Sequence, residues 1–249
     1  MELHSKYQVG LFWVTLLLPA ALCYSQGFTP SRATYYVTSD GYGTPTGACG
    51  YGDYGRTVNY GRVAGVAGLW RGGAGCGACY QVRCKNSRLC DNYGTMVVAT
   101  DYGAGDRTDF IMSPNGFSKL GRNPSASAEL KKYGVVDIEY RRVPCTYAGY
   151  NVRIKIHESS NYPDYLALVI LYVPGMNDVT AVEIYDNERH EWKPMRRAYG
   201  AVFDIAGAPR GPLRLRLRFS GRSGWVQSSN TAIPGDWKIG ASYDSQVHV

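Results

Sequence analysis

Apolar and polar positions alternate with period two through much of this chain. The clearest run is Leu213-Arg214-Leu215-Arg216-Leu217-Arg218-Phe219. Extended, it turns three leucines and a phenylalanine to one face and three arginines to the other; wound as a helix, it scatters the leucines around the circumference. Residues 151–158, 165–172, 179–186, 191–197, 201–205 and 237–242 are further strand candidates. Pro174-Gly175, Asn177-Asp178, Gly207-Ala208-Pro209 and Gly221 supply turns between them. Short strands with frequent turns predict a β-sandwich after Ala148.

The first half is more mixed. Residues 32–37, 79–84, 95–100 and 135–143 have strand character, with Asp101 directly after an apolar, β-branched run. A loop rich in Gly, Pro and Thr spans 41–55. Residues 61–70 are ambiguous and compatible with a short helix packed by Leu69 and Trp70. Ser113-Pro114 is a cap followed by a first-turn proline, predicting a helix to about Leu120, and residues 125–133 predict another.

Composition narrows the class. With 45% hydrophobic and 19% charged residues among 249, the chain has material for packed cores and is not a disordered segment. No amphipathic helix recurs between strands, which argues against a dinucleotide-binding fold. At the start, Lys6 precedes an almost wholly apolar stretch from Val9 to Cys23. Small residues at Cys23 and Ser25 suit cleavage near Ser25–Gln26, so residues 1–25 are expected to be an export signal. No later stretch is long and apolar enough to cross a bilayer. The expected product is soluble, secreted and monomeric, without a membrane partner. Its net charge stays at +7, since residues 1–25 remove one Glu and one Lys. Outside the cell nucleic acid is not the expected partner, and an acidic polysaccharide such as pectin matches the charge.

Cys23 leaves with the signal. Cys49, Cys76, Cys79, Cys84, Cys90 and Cys145 remain, an even number in an exported chain, which predicts disulfides over a zinc site. Spacing alone leaves 15 connectivities open. All six precede residue 146, so one half is stapled and the other is not. Two domains are expected, 26–146 and 150–249.

Chemistry is defined first by what is missing. The histidines are His4, His157, His190 and His248. The stapled half therefore holds no Ser-His-Asp or Cys-His pair and no two-histidine metal spacing. The glycines at Gly72-Gly73-Ala74-Gly75 lack the Lys-Ser/Thr ending of a phosphate loop. Neither cofactor nor metal is expected. Carboxylates remain: Asp101, Asp106 and Asp109, with Asp40 and Asp53 in the loop. Glycoside hydrolysis needs two, one protonated and one charged, on opposite sides of the scissile bond. Asp101 at a strand end is the leading candidate; it is also a residue that commonly caps a turn.

The motifs carry a resemblance. Gly47-Ala-Cys-Gly-Tyr-Gly52, Gly75-Cys-Gly-Ala-Cys-Tyr80-Gln-Val-Arg-Cys84, Val98-Ala-Thr-Asp-Tyr102 and Ser113-Pro-Asn-Gly-Phe117 resemble the first domain of plant expansins. Tyr165-Leu-Ala-Leu-Val169, Val182-Glu-Ile184, Trp192-Lys-Pro-Met195 and Trp237-Lys238 resemble the second. The match runs in order over essentially all of the mature chain and is most like the expansin-like B group. It implies a mainly β protein: a six-stranded double-psi β-barrel, related to family-45 glycoside hydrolases, followed by an immunoglobulin-like, polysaccharide-binding β-sandwich. It also implies the pairs Cys49–Cys76, Cys79–Cys145 and Cys84–Cys90.

For function, the resemblance implies a cell-wall protein that loosens wall polysaccharide (matrix glycan, cellulose or pectin) without hydrolysis. The implied groove holds Thr34 and Asp101, with Tyr36 and Asp109 nearby, and the implied aromatic platform falls on Asp164, Tyr165 and Tyr199. Two departures matter. Where many members have His-Phe-Asp-Leu-Ser, this chain has Asp109-Phe110-Ile111-Met112-Ser113. Ile111 takes the acid position and cannot exchange a proton. Asp164 breaks the aromatic row. Hydrolysis is therefore not expected. The alternatives are a weak endoglucanase or transglycosylase using Asp101 with Asp106 or Asp109, and a binding module without loosening activity. Arg214, Arg216 and Arg218 form a basic line that suits a carboxylated polymer or simply guards a sheet face.

Overall fold

The computed structural model describes residues 27–103 and 108–249; the expected export signal and Asp106 lie outside them. Six strands close a barrel: β1 (Thr29–Tyr35), β2 (Val63–Val66), β3 (Cys79–Cys84), β4 (Thr95–Tyr102), β5 (Phe110–Met112) and β6 (Val136–Arg142). Around the barrel the order is β1-β5-β2-β4-β3-β6. The β1–β5 and β2–β4 pairs are parallel and the others antiparallel. Ala33, Ala64, Val66, Val82, Val97, Ala99, Phe110, Met112 and Ile138 point inward. Residues 61–70 are not a helix. Val63–Val66 is an inner strand with all four residues buried, and Gly68–Gly73 is a 3-10 segment presenting Leu69 and Trp70. A four-residue strand buried on both sides shows no alternation, so its pattern matches a short buried helix equally well.

A short helix, α1 (Asp53–Thr57), precedes β2. Two further helices follow, the first where its cap predicts and the second starting one residue before the expected 125. Ser113 Oγ accepts from the Gly116 amide at 3.1 Å and starts α2 (Pro114–Ser118). Asn123 Oδ1 accepts from the Ala126 amide at 2.8 Å and starts α3 (Pro124–Tyr133). Both place a proline in the first turn, where its missing N–H costs no helix bond. The disulfides are Cys49–Cys76, Cys79–Cys145 and Cys84–Cys90.

The remaining strands are β7 (Arg153–Ile156), β8 (Tyr165–Leu171), β9 (Val179–Asp186), β10 (Glu191–Tyr199), β11 (Val202–Ala206), β12 (Leu215–Phe219), β13 (Trp225–Gln227) and β14 (Ser242–Asp244). They form one sheet, β13-β12-β9-β10-β11-β8-β7-β14, curled over its own core. Long β10 joins the two layers, pairing with β9 on one side and β11 on the other. Leu213, Leu215, Leu217 and Phe219 all enter that core, as their alternation predicts. Of the strand expected at 237–242, only Ser242 is in a strand. Trp237 instead plugs the core beside Tyr162, their ring centroids 5.0 Å apart, and pairing begins only at Ser242.

Strand β8 is buried on both faces. Leu166, Leu168 and Ile170 fill the sheet's core; Ala167, Val169 and Leu171 pack with Val202 against Cys49 and Tyr51 of the barrel. The barrel loop approaches so closely that Gly200 (φ +46°) has no room for a side chain: a Cβ there lies 2.5 Å from the Ala48 carbonyl oxygen. The Ala201 amide donates to the Cys49 carbonyl at 3.0 Å. Asp178, buried at the start of β9, receives Arg71 at 2.8 Å and Arg142 at 3.1 Å from the barrel side.

Candidate functional site

Strand register builds the barrel side of the site. Thr34 on β1 pairs with Ile111 on β5, Ile111 with Gly65 on β2, and Gly65 with Asp101 on β4. Their neighbours Ala33, Phe110 and Met112 face the core, so Thr34 and Ile111 face outward; strict alternation after inward-facing Ala99 would turn Asp101 inward as well. The β2–β4 register slips between Ala64 and Gly65, leaving Thr100 as the extra residue. Such a bulge re-aims the following side chain, here Asp101. Gly65 between Ile111 and Asp101 keeps the floor of the row low.

Asp101 Oδ1 accepts from the Ala48 amide at 2.6 Å and from its neighbour Tyr102 at 2.8 Å. Both of these bonds end on the same oxygen, Oδ1. The carboxylate thus has the turn-stabilising role common for Asp and also a fixed acceptor. Tyr36 lies close: burial first, and the Asp101 charge second, hold its hydroxyl pKa well above the usual tyrosine value. Tyr36 therefore remains a neutral donor at physiological pH. Thr34 Oγ1 donates to the Gly134 carbonyl at 2.8 Å, so its proton is committed to the cap of α3 and only its lone pairs face outward.

Asp109 is oriented differently. Ser31 Oγ on β1 donates to its Oδ2 at 2.5 Å. That draws the carboxylate toward β1, on the other side of β5 from Asp101. Two strand steps around the barrel and two residues along the strand separate Asp109 from Asp101. Ile111, in the row itself, is two strand steps from Asp101. Among the described residues, this row holds one carboxylate, Asp101, with aliphatic Ile111 across Gly65.

The residues expected to form the platform sit on the sheet. Tyr199 is exposed, at 46%, and its hydroxyl bonds His157 Nε2 at 2.9 Å. Burial, reinforced by Lys155 and opposed by Glu158, lowers the His157 pKa. The ring of Tyr199 lies against Gly50 of the barrel loop, where a Cβ comes within 3.0 Å of Cε2. Tyr165 is half-buried and donates to Asp204 Oδ2 at 2.7 Å, while Arg196 grips both oxygens of the same carboxylate at 3.0 and 2.6 Å. Asp164 is exposed and lies 3.7 Å from Arg210. Tyr165 and Tyr199 stand two strands apart and four register positions offset, so they are not adjacent stacking partners.

Two aromatic residues were not singled out from the sequence. Tyr102, 52% exposed, follows Asp101 in β4, and its ring lies 5.6 Å from that of Trp70. Trp70 also packs against both the barrel core and the cluster between barrel and sheet. Period two gave a faint signal for Tyr102, at the outward-facing end of an apolar strand. The position of Trp70 depends on the 3-10 segment and had none. The loop Gly47–Gly50 links the parts: its Ala48 amide holds Asp101 and its Gly50 touches Tyr199.

A six-stranded barrel with this mixed pairing, followed by a curled all-β sheet packed against it, defines the architecture of the expansins. The family model described as expansin C-terminal domain matches residues 152–234, and a double-psi-barrel model described as lytic transglycolase matches residues 62–140. The chain belongs to the expansin family. Expansin-like B1 of Arabidopsis thaliana is 50% identical, covering 98% of each chain. Expansin-like B1 of Oryza sativa subsp. japonica is 45% identical over 89% of this chain and 88% of its own. Among solved structures, the apo expansin of Clavibacter michiganensis superposes with a TM-score of 0.66 at 22% identity, over 88% of this chain and 96% of that one. A point mutant of the same bacterial protein, solved in complex with cellohexaose, superposes with a TM-score of 0.65 at 22% identity.

Proposed function

We propose that this chain is an extracellular cell-wall protein that binds a polysaccharide along the barrel groove and the adjoining sheet, and loosens the wall by displacing glycan–glycan hydrogen bonds without cutting the chain. In this reading residues 26–146 supply the groove and residues 150–249 the platform. Asp101 Oδ2 accepts from a sugar hydroxyl, Tyr36 donates to one, and Tyr102, Trp70 and Tyr199 offer ring faces. Tyrosine and tryptophan suit a sugar ring because each joins an apolar body to a polar tip. The cellohexaose complex of the bacterial relative supports a β-linked glucan as one ligand class.

The observation that carries the non-hydrolytic reading is the row Thr34–Ile111–Gly65–Asp101. Acid/base glycosidases hold their carboxyl groups about 5–9.5 Å apart. Here, among the described residues, Ile111 lies across Gly65 from Asp101, and Asp109 is turned toward Ser31 on the far side of β5.

Creep of isolated walls under load tests this. Wild-type protein is expected to increase extension with no release of reducing ends from xyloglucan, mixed-linkage glucan or cellulose. Asp101→Ala is expected to abolish extension. Sustained reducing-end release lost in Asp101→Asn overturns the non-hydrolytic reading. Full extension by Asp101→Ala overturns the assigned role of the carboxylate. Glycan binding with no extension in wild type leaves a binding module.

A further inference from the structure

The outer face of the layer formed by β9, β10, β12 and β13 carries a ladder of planar side chains that the groove does not use. The guanidinium of Arg214 lies 4.1 Å over the ring of Tyr185 and 5.9 Å from that of Trp192. Arg216 is sandwiched between Trp192 at 4.5 Å and Trp225 at 4.6 Å. Tyr185 and Trp192 pair edge to face across β9 and β10 at 5.2 Å. The order is Tyr185, Arg214, Trp192, Arg216, Trp225. Arg218 follows along β12, exposed and in register with Trp225. This face is back to back with β8 and Tyr165, with the sheet's core between them.

The ladder discriminates between ligand classes. Along it, guanidinium groups occupy ring faces that a neutral sugar needs for stacking. A stacked guanidinium, however, keeps its in-plane N–H donors free for a carboxylate. Arg216 demonstrates the arrangement: stacked between two tryptophans, it binds Glu183 through its edge. Arg214 is stacked in the same way, yet among the described residues no carboxylate forms an ion pair with Arg214 or Arg218. The hairpin tip beyond Tyr185 carries exposed Glu188, Arg189 and Glu191, which add no net positive charge to the ladder. Arg214 and Arg218 are four residues apart, about 13 Å on an extended strand. One sugar acid cannot reach both, but a chain with a carboxylate on successive units can, and the second contact is then intramolecular.

We infer that the Tyr185–Arg214–Trp192–Arg216–Trp225 ladder with Arg218 is a second glycan-binding face, which takes an acidic polysaccharide of the polyuronate class. It does not depend on the groove reading. The face would bind a carboxylated matrix polymer while the groove binds another chain.

Affinity electrophoresis of the mature chain through gels containing polygalacturonate tests the assignment. Retardation is expected with this polymer, should weaken as salt rises, and should be lost with fully methyl-esterified polymer. Arg214→Gln/Arg218→Gln is expected to weaken binding about tenfold, since two partly exposed charged contacts are removed. Lys85→Gln/Arg88→Gln, an equal charge change on an exposed barrel turn, is expected to leave binding unchanged, as is Asp101→Ala in the groove. Unfolding midpoints of all variants establish that they fold. Equal weakening by the Lys85/Arg88 variant makes the attraction one of net charge and overturns the site. Loss of binding in Asp101→Ala moves the polymer to the groove and overturns it as well. So does undiminished binding by the Arg214/Arg218 variant or by the methyl-esterified polymer.

Discussion

The barrel and the curled sheet solve the same packing problem with different means. The barrel interior contains several alanines, Ala33, Ala64, Ala78 and Ala99, beside a few large groups such as Phe110 and Met112. All three disulfides brace this half. The sheet has no disulfide among the described residues and encloses Leu166, Leu168, Ile170, Phe203, Leu215, Leu217, Phe219 and Trp237. The barrel is short, mixed in strand direction and interrupted by long loops, so covalent links offset what a small core does not supply. The sheet is antiparallel throughout, and the alternation of its strands fills a wider apolar layer. The difference teaches where each half is vulnerable, and that the row from Thr34 to Asp101 belongs to the half held by loops and staples.

Removing the Cys79–Cys145 pair as Cys79→Ala/Cys145→Ala should have the greatest effect. The bond closes a loop of 66 residues. On the chain-entropy model its loss costs about 4 kcal/mol, and urea unfolding followed by residue-resolved hydrogen exchange should show the barrel opening early while the sheet stays protected. Equal loss of protection in both halves would break the comparison. Leu217→Ala is the counterpart in the sheet, expected to cost about 3 kcal/mol through lost burial and an unfilled cavity. Exchange should then accelerate in β9 and β12 before it does in β4.

Asp178→Ala probes the joint between the halves. It leaves Arg142, itself largely buried, without its carboxylate, at a cost of about 2–3 kcal/mol. Because Arg71 is half exposed, most of this comes from Arg142. The variant should unfold in two resolved steps where wild type gives one. A single step would show that the apolar contact through Val169 and Val202 is sufficient coupling.

The smallest expected effect is one of pH. The His157 pKa is depressed in the folded chain, chiefly by burial. As pH falls below about 6.5 the unfolded chain takes up this proton before the folded chain does, so the associated stability is complete above that value and declines toward the lower folded pKa. Replacing His157 by Gln should flatten this decline in urea midpoints measured between about pH 7 and 5, the window set by the free imidazole. An unchanged slope would assign the decline to other groups.

Legibility from sequence also divided unevenly. Strands β8, β9, β10 and β12 were visible because each is long enough to show alternation or a sustained apolar run. Ser113 and Asn123 carry their capping function locally, and the helix beginning at Pro114 was predicted from that chemistry. Val63–Val66 and Phe110–Met112 were not legible as strands, because three or four residues cannot display a period. Trp237 was misplaced in a strand, since an apolar residue that plugs a core from a loop has the same local signature. Asp101 and Tyr199 are candidates through the family resemblance, while Trp70 and Tyr102 meet only because a 3-10 segment passes beside the end of β4.

Local chemistry in the chain was enough to determine the all-β character, the stapled and unstapled halves, the inward leucines of β12 and the absence of a histidine-based catalytic group in the first half. These depend on side-chain period, redox chemistry and residue type, which operate over a few neighbours. Tertiary structure decided what faces what. It placed Ile111 in one row with Asp101 across Gly65, turned Asp109 to Ser31, and inserted guanidinium groups between Tyr185, Trp192 and Trp225. Each of those outcomes is set by strand register between segments distant in sequence, and register is selected by the packing of the whole sheet.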